Sequence, residues 1–369
     1  MTAPTPTWNH PLFGADPVTL FKAFTENGAL PVKQWPMAAA MMGAALARSP
    51  FSAAERLYVA AKEKSLPETE PPIFILGHWR SGTTHLYNTL SRDPQFAFVD
   101  PFATGMPWDF LLLGRWLQPL LTKALPADRF IDRVAVNPDS PQEDEIGLAA
   151  MQNLSYYFGI YFPQQFDRHY RQGVFLDDVP PVTMARWRRA LRHYFAKLKI
   201  AQPGQRLVIK NPVYTGRVDL LRQWFPNARF IHIYRNPYVV FQSTRKFYRS
   251  LFPRLAMQPF DETQADKLIL ETYPRMLANL KKDTADLPPE RMVTLRFEDL
   301  ESDPETQLEA IYRQLEIPGF EHAHPIFREY LESVSGYRKN SHGFPTDAIE
   351  LVDEHWGDFV REWGYQPPA

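Results

Sequence analysis

Apolar positions along the chain follow two rhythms. Short apolar-rich runs stand at residues 73–76, 96–99, 206–210, 229–234 and 291–296, the first of them unbroken between Pro72 and Gly77. Runs of that length without alternation suit strands buried on both faces. Between them the apolar residues recur at helical spacing. Leu86, Tyr87 and Leu90 follow the first strand, and further helices are predicted over 214–225, 238–248, 266–286 and 304–315. Strand alternating with helix predicts an α/β fold, a mainly parallel central sheet with helices on both faces.

The remaining segments read as helical additions. Residues 1–16, rich in Pro and Thr, predict an extended arm, and 17–28 a helix. Residues 32–49 predict a second helix, Ala/Met-rich in its middle, with Lys33 and Trp35 at one end and Arg48 at the other. Two readings of it stand side by side, a helix packed on the body and an interfacial helix at a membrane surface. Ser52 followed by Glu55 predicts a capping box opening a separate helix over 52–64. The apolar, Trp-containing region 107–125 is either a core helix or a pocket wall. Ser140-Pro-Gln-Glu-Asp-Glu145 predicts a helix start running on to Tyr157. The basic run from Thr183 (Arg186, Arg188, Arg189, Arg192, Lys197) reads as a solvated helix face. The domain expectation is a helical extension over 1–70 and an α/β domain over 71–369 with a helical insertion at about 104–200.

Composition narrows the chemistry. Net charge is -1 in 369 residues, so no global field points to nucleic acid, and any anion site must be a local cluster. With no cysteine, disulfides, thiolate catalysis and Cys-ligated metals are excluded. No signal peptide is visible, and the most apolar run, 37–47, is shorter than the roughly 20 residues a bilayer span needs. The expected location is cytoplasmic, with peripheral contact at the inner membrane face through the N-terminal helices as the variant.

The informative stretch follows the first strand. Gly77-x-x-x-x-Gly82-Thr-Thr has P-loop spacing, yet Thr83 stands where the loop lysine belongs and a cation, Arg80, sits inside the loop. On its own this is equally a Gly-bounded turn between strand and helix. A second group lies at another strand end. There Tyr234-Arg-Asn-Pro237 is followed by Ser243, an arginine and a hydroxyl suited to phosphate oxygens. Other strand ends carry Lys210-Asn-Pro and Phe297-Glu-Asp.

Taken together, these pieces resemble the sulfotransferases that use 3′-phosphoadenosine 5′-phosphosulfate (PAPS). Arg80-Ser-Gly-Thr-Thr84 is similar to their 5′-phosphosulfate loop, and Tyr234-Arg-Asn-Pro237 through Ser243 to their 3′-phosphate motif. Phe297 to Pro304 resembles a late strand–helix junction, and Gly336-Tyr-Arg-Lys-Asn340 a C-terminal basic loop with Asn340 where glycine is common. The resemblance covers residues 72 onward in ordered pieces. It implies that Ser81, Gly82, Thr83 and Thr84 hold the 5′-phosphate. Arg80 would neutralise charge on the departing oxygen, and Arg235, Ser243, Arg338 and Lys339 would hold the 3′-phosphate. For the general base it leaves three carboxylates, Glu143 first, then Asp100, then Asp144, with Lys210 and His342 as further site candidates; His85 would point into its own helix. No metal is implied. The Trp108–Leu125 segment, the aromatics from Tyr156 to Phe162 and the N-terminal Ala/Met helix suggest a hydrophobic or lipid-like alcohol as acceptor. The alternatives are a kinase-like phosphoryl-transfer enzyme with a modified P-loop, disfavoured by Thr83, and a nucleotide-binding scaffold without turnover.

Overall fold

The computed structural model describes residues 8–67, 69–124, 137–261, 264–335 and 343–368. Arg338, Lys339 and His342 lie outside them. Two compact units emerge, each built from separated stretches of chain. One comprises residues 1–69, 98–205 and 249–262, the other 70–97, 206–248 and 263–369.

The second, the sheet unit, holds every strand. β1 (Ile73–Leu76), β2 (Phe96–Ala97), β3 (Arg206–Lys210), β4 (Arg229–Tyr234) and β5 (Met292–Arg296) form one sheet in the order β2-β3-β1-β4-β5. All pairings are parallel, with Ile75 opposite Lys210 on one side and Ile231 on the other. β1 is central and buried at all four positions, which is why its sequence shows no alternation. Phe74 stacks on Phe230 and meets Tyr214 edge-on, filling the space between sheet and helices. Helices Gln264–Thr284 and Thr346–Glu362 pack together, with Trp356 stacked on Tyr273 at 4.0 Å. The expected α/β architecture is borne out.

The first, the helical unit, contains α1 (Pro17–Glu26) and α2 (Trp35–Glu63), and later helix Pro181–Ala201. The two helices expected over 32–49 and 52–64 are one. α2 runs 29 residues through Pro50. Ser52 does not cap it; its hydroxyl donates to the Arg48 carbonyl. Nor is Glu55 a capping partner. Fully buried, it accepts from the backbone N–H groups of Leu111 (3.1 Å) and Leu112 (2.8 Å) and pairs with Lys197 at 2.6 Å.

Lys197 therefore corrects a second expectation. It is wholly buried rather than solvated, donating to the Pro107 carbonyl as well as Glu55, with its ammonium 4.3 Å from the Phe110 ring centroid. Burial brings its pKa down to about 8, opposed by the Glu55 charge. Beside it Arg48 donates to Asp109 at 2.9 Å and to the carbonyls of Phe13 and Ala15. Burial raises the Asp109 pKa, the Arg48 and Lys197 charges opposing. These four charges tie α2, helix Pro181–Ala201, the N-terminal turn and a π-helical turn at Phe110–Gly114 into one body. Such groups tolerate burial only because each has a charged partner and hydrogen bonds.

Candidate active site

The loop after β1 is built by two glycines with no room for a side chain. Gly77 has φ 150°, and a Cβ there would meet the Ile233 carbonyl oxygen at 2.5 Å. Gly82 has φ 97°, and a Cβ there would meet the Phe297 ring at 2.1 Å. Between them Arg80 itself is left-handed at φ 70°, a sparsely populated state for a side-chain-bearing residue. The Gly77 N–H donates to Thr215 Oγ1 at 2.8 Å, which pins the loop to the segment after β3. Gly82 then occupies the N-cap of α3 (Thr83–Leu90), where it has no side chain to offer as a cap. The first-turn N–H groups of a helix are those without intrahelical acceptors.

Two motifs that sequence kept apart are joined here. Arg80 Nε donates to Ser243 Oγ at 2.8 Å, linking the loop after β1 to helix Pro237–Leu255 after β4. The strands pair directly, so their carboxyl ends lie side by side, the edge where ligands bind in open α/β sheets. Arg235 sits over the Phe297 ring at 4.3 Å. Burial lowers its pKa from the ordinary guanidinium value, against the charges of Glu298 and Glu301 and with that of Arg80. The turn it opens is anchored by Glu298, which accepts from the Asn236 N–H at 3.2 Å and the Tyr365 hydroxyl at 2.7 Å.

A cation also enters from the other neighbour of β1. Lys210, at the carboxyl end of β3, donates from Nζ to Thr84 Oγ1 at 3.3 Å and is buried. The loop lacks a lysine after Gly82, and the adjacent strand brings one to its hydroxyl. Its signal in the sequence was a lysine closing an apolar strand run. His85 faces the Phe297 ring, with centroids 6.4 Å apart.

The candidate bases belong to the helical unit. Asp100 is the N-cap of α4 (Pro101–Gly105), accepting from the Ala103 N–H at 2.8 Å. Burial raises its pKa, with the N–H groups of Ala103 and Phe102 opposing. It lines a cavity of about 180 Å³ with Phe102, Phe110, Arg115 and Gln202. Between α4 and the next helix of interest lies α5 (Arg115–Ala124). Glu143 occupies the N-cap of α6 (Asp144–Met151), half-buried, with no side-chain cap bond. Its negative charge helps push the Tyr157 hydroxyl pKa upward, after burial as the main cause. Asp144 is fully buried. The helix expected to reach Tyr157 ends at Met151. The Gln142 N–H donates to the Val99 carbonyl at 2.8 Å, setting the Glu143 segment beside that of Asp100.

A Gly-bounded loop opening a helix at the end of a central parallel strand, with arginine and serine from the next strand–helix unit, is a P-loop-type arrangement. The chain belongs to the Sulfotransferase family, whose model matches residues 71–322. It is a sulfotransferase, as its motifs implied. The omega-hydroxy-beta-dihydromenaquinone-9 sulfotransferase Stf3 of Mycobacterium bovis is 33% identical over 297 residues, covering 80% of this chain and 76% of that protein. Among solved structures, sulfotransferase STF9 from Mycobacterium avium superposes with a TM-score of 0.68 at 16% identity, covering 98% of this chain and 99% of that one. Sulfotransferase STF1 from Mycobacterium tuberculosis gives 0.61 at 16% identity, with 94% of each chain covered. At such identity these two speak for the fold.

Proposed function

We propose that this enzyme transfers the sulfuryl group of PAPS to the hydroxyl of a hydrophobic, lipid-like alcohol. The observation that carries the reading is the Arg80–Ser243 hydrogen bond, which gathers two phosphate-type motifs at one sheet edge. An ordinary NTP site needs only one such motif; a donor with phosphate at both 5′ and 3′ uses two. The glycines fit this donor, since a backbone without a Cβ lets the 5′-phosphate approach the N–H groups of Gly82, Thr83 and Thr84 at the start of α3, while the Ser81 N–H already donates to the His78 carbonyl at 3.2 Å.

PAPS supplies an activated sulfuryl group on an acid-anhydride oxygen. As the acceptor oxygen bonds to sulfur, the bond from sulfur to the bridging oxygen breaks and its electron pair goes to the phosphate. Arg80 stabilises that growing charge electrostatically, because a guanidinium does not give up its proton near neutral pH. Lys210, beside Thr84, adds a second positive charge. Arg235 and Ser243 hold the 3′-phosphate, joined by Arg338 and Lys339 from the C-terminal loop. Glu143 takes the acceptor proton, with Asp100 and then Asp144 as alternatives. Asp100 is already engaged as a cap, and Asp144 is shut away from solvent.

The lipid-like acceptor draws on the relative Stf3, named for a menaquinone-derived substrate, and on the apolar character of the helical unit. The deciding experiment is calorimetric titration with 3′-phosphoadenosine 5′-phosphate followed by labelled-PAPS assays on detergent-solubilised prenyl alcohols. Glu143→Gln should keep nucleotide affinity and lower turnover about 10²–10⁴-fold. Unchanged turnover would move the base assignment to Asp100. Labelled ATP transfer without nucleotide-bisphosphate binding would defeat the whole reading.

A further inference from the structure

The outward face of α2 is almost free of charge. Buried positions Met37, Met41, Ala45, Ser52, Glu55 and Val59 mark its inner side. At the exposed positions between Trp35 and Ala61 stand Trp, Leu, Phe, Tyr, Ala, Pro and Gly, and a single charge, Arg56. Arg56 lies at the flank with its guanidinium over the Trp108 ring at 4.2 Å. The other arginine of this stretch, Arg48, is turned inward to Asp109. Exposure is 61% for Trp35, 59% for Leu46, 48% for Phe51 and 74% for Leu57, so these large side chains face solvent. Val18 and Phe21 on neighbouring α1 are 65% and 63% exposed, extending the surface.

Charge returns at the ends. Lys33 precedes the helix, and Lys62 and Lys64 close it, outnumbering Glu63. Along one flank Lys22, Arg56, Arg186 and Arg189 line a cavity of about 650 Å³, together with the carboxylates Asp16, Glu26 and Glu63. Asp16 is committed to capping α1 through Val18 and Thr19. An apolar face framed by lysines, with a tryptophan at its end, matches the layering of a bilayer surface: acyl chains, then an aromatic level, then anionic headgroups. Lysine stems reach along the apolar zone to place their ammonium groups among phosphates.

We propose that the outer face of α2, extended by Val18 and Phe21 of α1, docks on a bilayer containing anionic lipid. The helix is about 40 Å long and presents a strip about 10 Å wide, roughly 400 Å². That is half of the about 800 Å² per partner typical of a stable protein interface. A second copy is therefore a poor occupant, while partial insertion into a membrane has no such threshold. No helix among the described residues is long and apolar enough to cross a membrane, so the contact is lateral. The docking gains its purpose from the lipid-like acceptor proposed above, but its physical case rests on the face alone.

The test uses the full chain with vesicles of neutral phospholipid, with and without an anionic phospholipid, read by co-flotation. Wild-type protein should float with the anionic vesicles and lose part of that binding at raised salt. Lys33→Gln, Lys62→Gln and Lys64→Gln should each weaken it about fivefold. The double variant Leu46→Glu, Leu57→Glu should abolish it while keeping the thermal melt and 3′-phosphoadenosine 5′-phosphate affinity, since both side chains are exposed. In detergent this variant should still sulfate a solubilised alcohol. Wild-type protein that ignores both vesicle types, or a double variant that floats as before, overturns the docking. So does a wild-type dimer that the double variant converts to monomer, which would assign the face to a second copy. Vesicle binding without sulfation of any lipid alcohol would instead strike at the acceptor reading and leave the docking standing.

Discussion

The two units handle apolar surface in opposite ways. In the sheet unit the large apolar side chains are covered: β1 is buried along its length, and Phe74, Tyr273 and Trp356 sit in stacked aromatic layers. In the helical unit, charge is buried and apolar surface is shown. Glu55, Lys197 and Asp109 are inside, while every exposed large apolar side chain among the described residues, from Trp8 to Val182, belongs to this unit. A chain shaped only for stability would do the reverse, because buried ions cost more than hydrophobic packing returns. The sheet unit gathers polar and cationic side chains at one edge, and the helical unit keeps paired charges beneath an apolar skin.

Breaking the ion network of the helical unit should have the largest effect. Lys197→Met leaves Glu55 buried without its cation, while Asp109 keeps Arg48, and should lower stability by about 3–5 kcal/mol in denaturant unfolding. The companion Lys197→Met, Glu55→Gln removes the stranded charge and keeps an oxygen for the Leu111 and Leu112 N–H groups, so it should recover much of that loss; a single variant as stable as wild type would show that the network is ornamental. Next comes the sheet unit's ligand edge. Arg235→Ala should weaken 3′-phosphoadenosine 5′-phosphate binding by about 1.5–3 kcal/mol in calorimetry, with little change in the melt. A large stability loss instead would make Arg235 a structural partner of Phe297 and Glu298. The smallest effect lies on the sheet unit's surface. Hydrogen bonds from Arg328, and after them His324, hold the Glu305 pKa down to about 2. A carboxylate with a depressed folded value stabilises above its ordinary pKa of 4.5 and loses that contribution as pH falls towards 2. Thermal melts across this window should converge for wild type and Glu305→Gln at the acid end and differ slightly above it. A gap that widens on acidification would reverse the sign.

Legibility in the sequence follows the same division. β1, β3 and β4 fall where their apolar-rich runs fall, because strands buried along most of their length carry few polar positions. In the helical unit the Ser52–Glu55 pattern suggested a helix start that is absent, because Ser52 bonds back to the Arg48 carbonyl and Glu55 turns inward, and α2 runs on through Pro50. Lys197 was readable in principle. It follows Trp187, Ala190 and Tyr194 at helical spacing on the buried stripe of its helix, but the arginines around it drew the eye to charge rather than phase. Of the site, Arg80, Ser243 and Arg235 were visible as motifs. The bond between Arg80 and Ser243 was not, because it depends on β1 and β4 being neighbours, a fact of topology rather than spacing.

That bond also sets a direction. A serine hydroxyl has a single proton, and when Arg80 donates to its oxygen the proton of Ser243 must be given elsewhere. A phosphate oxygen, which can only accept, suits that proton, and the Arg80 charge bonded to the same hydroxyl disfavours a cationic guest. In the proposed site, the side chain that looks like the weakest member of the constellation would thus favour an anion, because its hydroxyl has a proton to give and a guanidinium at its back.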